Sequence, residues 1–456
     1  MKMVTRRLRA VCAGLLLAAS AAAAQNPRAL QHRVWLLGGV PDQTTLTALR
    51  SGGVDGLVLP VGEVQLGDAS ASLTLTPLPD LGALAGWPVT PLVWVETSGK
   101  ASGDPAAFAS QVIPAQRMFK GGAALLLASR HYAPGLVSFA ITVARKLGQT
   151  VELALPAQDL VQHMPIAGWK DIRPVAVAFG NPSALGFPQT TLQDDRVALD
   201  GLDAALVTYR GAIVVAPRST PAPGPAGASL ASVVGGQTAI YRPGERGDVF
   251  QLRKAVDWGG VTIEAGQSVT VEVVDTACYH RDLGLLLRPV RPLLAGWDTV
   301  GLPAPEPALG MSQEAFLAYL RGGEPFPRPQ VVIGWPEGAV MRVSVANPTP
   351  QASALATTGN WVELRFEGTE VRDVQLGDFS GMEYGRPTGG VWRGTVARDA
   401  SALRLYLTYV PPQTRVTGCV VTFLSRPRSV ATRWRVRLGD GSDVSGPLEA
   451  VPLTTR

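Results

Sequence analysis

Histidine and cysteine are scarce in this chain of 456 residues, which has four His and three Cys. His32, His131, His163 and His280 never fall at ligand spacing with Cys278 or Cys419, and His-Glu-x-x-His is absent. The usual zinc sites are therefore excluded, and no Asp-rich calcium loop is present. No metal and no cofactor is expected. Also missing are a Gly-x-Gly-x-x-Gly after the first apolar run, a Gly-Lys-Ser/Thr phosphate loop and a Gly-x-Ser-x-Gly elbow. These absences argue against nucleotide folds and serine hydrolases. Charged residues make up only 17% and aromatics 6%. Lysine is rare, six of 41 basic residues with none after Lys254, and that bias reads as genome composition.

What is present is apolar residue, 46% of the chain, with 50 Gly and 37 Pro. That content supports real cores and excludes wholesale disorder. The length predicts two domains, or one large barrel with an appendage.

Residues 1–24 read as a secretory signal peptide. Lys2, Arg6, Arg7 and Arg9 form a basic start, 11–19 a short apolar stretch, and Ala22-Ala23-Ala24 a small-residue cleavage site. Cys12 stands too early for lipoprotein processing. Removing four basic residues leaves 37 basic against 36 acidic, a net charge of +1 rather than +5. The basic isoelectric point is thus partly a property of the leader and does not point to nucleic acid. No later stretch is long and apolar enough to span a bilayer. A periplasmic or secreted product is expected, with Cys278 and Cys419 as two buried thiols or, in an oxidising compartment, a disulfide.

From residue 33 to about 217 short apolar runs alternate with helical patterns. The runs fall at 34–37, 56–61, 91–95, 123–127, 151–155, 174–179 and 212–216, with an eighth near 293–302. Continuous apolar strands alternating with helices predict a parallel sheet covered on both faces, and eight such units predict a TIM-like (β/α)8 barrel. A Pro/Gly stretch at 219–227 and a β-rich insertion at about 236–280 separate the seventh and eighth units. A doubly wound sheet is the alternative. Past residue 326 short strands dominate, at 330–333, 340–345, 360–366, 371–376, 391–396, 403–410 and 415–423, with a hairpin turn at Gly439-Asp440-Gly441. The expected organisation is leader 1–24, barrel with insertion 25–326 and β-sandwich 327–456.

Functional groups of a barrel gather beyond the C-terminal ends of its strands. That rim predicts Glu63, Glu96, Arg130, His131, Asn181 and Asp298, with Asp275 joining them if the insertion reaches over the mouth. A glycosidase needs two carboxylates about 5–10 Å apart, one kept protonated. Glu96 is the candidate acid, since an apolar setting beside Trp94 would raise its pKa, with Asp275 or Glu63 as partner. A carboxylate at a strand end also caps helices or pairs with Arg, and Asp194-Asp195 reads as helix-dipole stabilisation. Cys278 and His280 would share one side of a strand, the spacing of a Cys–His dyad; a buried thiol beside a surface His is the simpler reading. The loop 179–188 and the cluster Tyr279-His280-Arg281-Asp282 are pocket linings or satisfied turns. Trp361, Trp392, Tyr384 and Trp434 are core residues or a stacking platform.

The strands from Val34 through Ala216, with a carboxylate after Trp94, resemble the glycoside-hydrolase-like barrels of secreted bacterial proteins, in which a β-sandwich commonly follows the barrel. No Asn-Glu or Asp-x-Asp/Glu signature stands at a strand end, so the resemblance implies a degenerate barrel. The function expected is binding of a polysaccharide or a cell-envelope protein through Trp94, His131, Asn181, Tyr279, His280 and Asp298. The alternative is an active glycoside hydrolase using Glu96, Asp275 and Glu63; a structural scaffold in an envelope assembly is the third reading.

Overall fold

The computed structural model describes residues 30–67, 71–77, 81–97, 103–117, 124–163, 171–188, 190–215, 238–243, 248–252, 255–258, 261–271, 274–288, 290–305, 310–356 and 358–452. The leader at 1–24, the Pro/Gly stretch at 219–227 and the Ser pair at 229–232 lie outside the described residues.

Eight parallel strands close a ring: β1 (Gln31–Trp35), β2 (Gly56–Leu66), β4 (Val89–Thr97), β5 (Leu125–Ala128), β6 (Val151–Pro156), β7 (Ile172–Gly180), β8 (Tyr209–Val214) and β14 (Leu294–Val300). Closure comes from β1, which pairs with β14 on one side and β2 on the other. The (β/α)8 barrel is therefore established by strand order, and the doubly wound sheet is excluded. One further strand, β3 (Ala71–Leu75), runs antiparallel to the far half of β2.

Helices cover the ring: α1 (Gln43–Ser51), α2 (Pro105–Arg117), α3 (Leu136–Leu147), α4 (Ala157–His163), α5 (Leu192–Ala204), α6 (Thr276–Leu287) and α7 (Gln313–Leu320). Their starts follow local chemistry. The Asp42 carboxylate accepts Thr45 N–H at 2.7 Å as the cap of α1, and Thr191 and Asp194 form a capping box on α5. Outward residues such as Leu57, Val93, Leu127, Leu153 and Ile213 pack beneath the helices. Inward residues Trp35, Val58, Leu92, Leu126, Val175 and Val214 form a separate core inside the ring.

The lower interior is ionic. Asp298 on β14 is fully buried and takes Arg33 at 2.7 and 3.0 Å, Arg210 at 2.8 Å and the Trp35 indole N–H at 2.9 Å. The other face of Arg33 meets Glu152 at 2.7 Å, and Arg173 lies 3.4 Å from the same carboxylate. Room for Arg210 is made by Gly296, where a Cβ would lie 2.9 Å from its Nη1 and 2.1 Å from Gln31 O. Beside this, neutral His32 stacks on Trp297 and bonds Thr299; burial lowers its pKa to about 3.

Between β8 and β14 lies the β-rich insertion, with β9 (Thr238–Pro243), β10 (Asp248–Leu252) and β13 (Ser268–Val271) in one antiparallel sheet and β11 (Val256–Trp258) with β12 (Val261–Ile263) in a hairpin. Its last part, expected as strand, is helix α6.

The C-terminal part is a two-sheet sandwich. One sheet is β15 (Gln330–Glu337), β16 (Val340–Ala346), β21 (Arg415–Phe423) and β18 (Val371–Gln375). The other is β19 (Gly381–Gly385), β20 (Ala402–Leu407), β17 (Asn360–Glu367), β22 (Ser429–Arg437) and β23 (Asp443–Ser445), with β24 (Glu449–Ala450) also on β22. The segment expected as strand at 391–396 follows a tight turn, in which Thr388 is bridged to Val391 around Gly389-Gly390, and runs beside β19 through an isolated Gly385–Gly394 bridge rather than as a regular strand. Cys278 and Cys419 are buried free thiols, one on α6 and one on β21.

Asp298→Ala should strand two buried guanidinium groups and cost about 3–5 kcal/mol in urea unfolding. Burial alone would raise the Asp298 pKa, but Arg210 and Arg33 overcome it and hold the folded value well below normal. Its contribution is therefore complete above the unfolded value near 4 and lost as pH falls below it. The stability of Asp298→Asn should slope less steeply than that of the parent below about pH 4.

Candidate functional site

Beyond the ring, β2 and β4 continue side by side and make a wall above the barrel mouth. Val64, Leu66 and Val95 turn outward into the helix-facing core. Alternation then sets Glu63, Gln65, Trp94 and Glu96 on the other face. Register puts Glu63 opposite Trp94 and Gln65 opposite Glu96. Strands about 4.8 Å apart, rising about 3.3 Å per residue, put the Glu63 and Glu96 backbones roughly 8 Å apart.

Glu96 does not meet the apolar setting expected for a proton donor. It is ion-paired with Arg130, which follows β5. The Arg130 guanidinium carbon also lies 5.0 Å from the Trp94 ring centroid, and its Nε donates to Leu185 O at 2.7 Å. Glu63 is exposed and accepts Gln65 Nε2 at 2.5 Å. His131 is exposed next to Arg130, and its carbonyl accepts the Ser129 hydroxyl at 2.8 Å.

The loop after β7 closes the mouth. Leu185 and Phe187 are buried in the inner core, and the Phe187 ring lies 6.2 Å from Trp94. Of the two readings of 179–188, pocket lining and satisfied turn, the loop is the second and also a plug. Its backbone is forced. Phe179 has φ +43°, a conformation that bulky residues rarely adopt, and Gly180 follows at φ +70°. Two buried carboxylates hold this pair: Asp195 accepts Phe179 N–H at 2.9 Å, and Asp282 accepts Gly180 N–H at 2.8 Å. Asn181 donates its N–H to Val214 O at 2.9 Å, and its side chain caps the short turn Pro182–Leu185.

The other expected site residues go elsewhere. Asp298 is not at the rim, because it points into the ring and is held by Arg33 and Arg210. Asp275 ends no strand. It caps α6, taking Cys278 N–H at 2.8 Å and Gly439 N–H from the sandwich at 2.7 Å, so it ties the two parts together. Tyr279 and His280 stand on α6 rather than on a turn. Tyr279 is buried with its hydroxyl on Thr299 at 2.7 Å, and exposed His280 bonds the Tyr319 hydroxyl at 2.8 Å. The Cys278–His280 dyad fails for the same reason, since residues two apart on a helix do not share a face. In the sandwich, Tyr384 and Trp434 pack on the core. Trp361 and Trp392 flank Arg404 on the outer sheet face at 4.3 and 4.0 Å.

Sequence reading missed Arg33, Glu152 and Arg210, each a charge within an apolar strand. That oddity was the available signal. Among the described residues no group of three or more His, Cys, Asp and Glu could hold a metal ion, and no helix is long and apolar enough to cross a membrane.

No protein-family model and no curated protein matches the chain. Among solved structures it is similar to the spore cortex-lytic enzyme SleL of Bacillus megaterium QM B1551, at 12% identity and TM-score 0.41 over 65% of this chain and 75% of that one. A glycoside hydrolase family 30 subfamily 8 xylanase from Clostridium acetobutylicum is similar at 11% identity and TM-score 0.31, over 86% and 96% of the two chains. A GH30 endoxylanase from Clostridium papyrosolvens C71 gives 10% identity and TM-score 0.22, over 87% and 95%. Likeness this low leaves the barrel to rest on this chain's own strand order and the site on its own geometry.

Asp195→Ala should leave the Phe179 N–H buried without its acceptor, cost about 1–3 kcal/mol, and loosen the plug over Trp94. A lower thermal midpoint with a red-shifted tryptophan emission is the expected result. Gly180→Ala should not fold, because its Cβ would lie 2.0 Å from Val214 O.

Proposed function

We propose that this protein binds a glycan at the barrel mouth without cleaving it. The observation that carries the reading is the Arg130 clasp. An ion-paired carboxylate accepts hydrogen bonds but has no proton to give, so Glu96 is suited to holding sugar hydroxyls rather than to protonating a leaving group. Glu63, Gln65 and His131 add exposed donors and acceptors, and half-buried Trp94 supplies an aromatic edge. Asn181 borders the same loop. The plug formed by Leu185 and Phe187 keeps a sugar on the rim rather than inside the ring.

The reading includes a cell-envelope setting, periplasmic or secreted, which the basic and apolar leader supports. It also includes the division into leader 1–24, barrel with insertion 25–326 and sandwich 327–456, which the separate hydrophobic cores support. A glycoside hydrolase is the second reading, favoured by one feature: Glu63 and Glu96 stand on the same face of two neighbouring strands.

A glycan array followed by calorimetry on the mature chain tests both. Binding without product release is expected, and Arg130→Ala should weaken it about tenfold by freeing the clasp. Release of reducing ends that disappears in both Glu96→Gln and Glu63→Gln would replace the binding reading with the hydrolase.

A further inference from the structure

The outer face of the six-stranded sandwich sheet carries more guanidinium groups than its carboxylates can take up. Val362 and Leu364 point into the sandwich core, so Trp361, Glu363 and Arg365 face outward on β17. Fully buried Glu363 is shared by Arg365 at 2.8 Å, Arg404 at 3.0 Å and Arg433 at 2.9 Å. Asp443 is shared by Arg435 and, at 3.5 Å, Arg437. Burial pulls the Glu363 pKa up, but hydrogen bonds from Arg433, Arg365 and Arg404 outweigh it and hold the carboxyl below its usual range. Glu367 and Glu383 also face outward, Glu383 taking the Tyr406 hydroxyl at 2.7 Å, so five arginines (Arg365, Arg404, Arg433, Arg435 and Arg437) meet four carboxylates and one positive charge remains in excess.

The excess is arranged in a line. Arg433, Arg435 and Arg437 alternate along β22 with inward Trp434 and Val436. Their Cα atoms thus repeat about every 6.7 Å along the strand, with Arg435 and Arg437 converging on Asp443 and Arg433 turned to Glu363. Their side chains are 28%, 40% and 18% exposed. The Nε atoms of Arg433 and Arg437 and the indole nitrogen of Trp392 find no protein acceptor among the described residues. Beside the line, Trp361 lies opposite Arg435 across the strands and carries Arg404 and Arg433 over its ring at 4.3 and 5.4 Å.

We infer that this face binds a linear acidic polysaccharide bearing a carboxylate on its repeating sugars. A row of outward arginines along one strand suits an extended polymer with repeated anions, and the guanidinium fork matches a carboxylate edge-on. Glu363 and Asp443 already show the face accepting that group. The inference is independent of the barrel-mouth reading, since it uses none of the same residues.

Affinity electrophoresis of the mature full chain in gels containing polygalacturonate tests it, with neutral dextran and duplex DNA as the other arms. Retardation by polygalacturonate alone is expected, weakening as salt rises from about 0.05 to 0.3 M. Arg435→Gln, at the most exposed position of the row, should weaken it about tenfold, and Arg433→Gln likewise. Arg145→Gln, an exposed arginine on barrel helix α3, should leave it unchanged. Circular dichroism of each variant shows whether the sandwich is intact; Arg435→Lys, which keeps the charge without the fork, should bind between parent and Arg435→Gln. No retardation by polygalacturonate, equal retardation of parent and both Gln variants, or tighter retention by DNA with the same Arg dependence overturns the inference.

Discussion

The carboxylate of Asp298 sits where the first and last strands of the barrel meet. It takes two guanidinium groups and an indole N–H from three positions on two strands, Arg33 and Trp35 on β1 and Arg210 on β8. A parallel ring has no covalent reason to close, and the β1–β14 seam joins residues more than 260 apart in sequence. Hydrophobic burial drives closure but is indifferent to register. A buried ionic cluster is not, because a one-residue slip would strand Arg33 or Arg210 as an unpaired charge in an apolar interior. The seam is set by chemistry that tolerates one alignment, and the height of every rim residue follows from it.

Above that level the ring fills with Trp35, Val58, Leu92, Leu126 and Val214, as a barrel interior must. The plug completes the filling. Its cost is a non-glycine residue at positive φ, offset by two buried carboxylates that bind consecutive backbone N–H groups of Phe179 and Gly180. Asp195 and Asp282 come from helices α5 and α6, so the outer layer of the barrel dictates the conformation of a loop at its mouth. Arg130 then fastens the plug to the wall through Leu185 O and Glu96.

Much of this fold was legible because parallel strands covered on both faces are unbroken apolar runs, and the runs at 34–37, 56–61, 151–155 and 174–179 fall within or against β1, β2, β6 and β7. That same continuity hid the inward and outward positions. In Gly296-Trp-Asp-Thr-Val300 a charge reads as strand end when it is strand interior, which is why the sequence points Asp298 to the rim. Asp275 misled for a different reason. The β-branched run at 269–274 looks like strand up to Asp275, but Asp275 caps a helix whose first turn, Thr276-Ala277-Cys278-Tyr279, has no strong propensity of its own. Strand β19, with two Gly in five residues, carries no strand signal, and Val391 to Val396 carries one without being a strand.

The two rim carboxylates that did come together gain meaning from the fate of the others. Glu152, Asp195, Asp275, Asp282, Asp298 and Glu363 are all buried, and each is held by a guanidinium or a backbone N–H. Acidic side chains in this protein serve mainly as acceptors that fix backbone or Arg geometry. Glu96 follows the same habit with Arg130, while Glu63 is met, among the described residues, by Gln65, a neighbour on its own strand. A catalytic pair depends on two carboxylates in opposite protonation states. On the reading proposed above, the Arg130 clasp suits Glu96 to recognition, and the arginine-rich outer sheet of the sandwich extends the same pairing chemistry to a second surface.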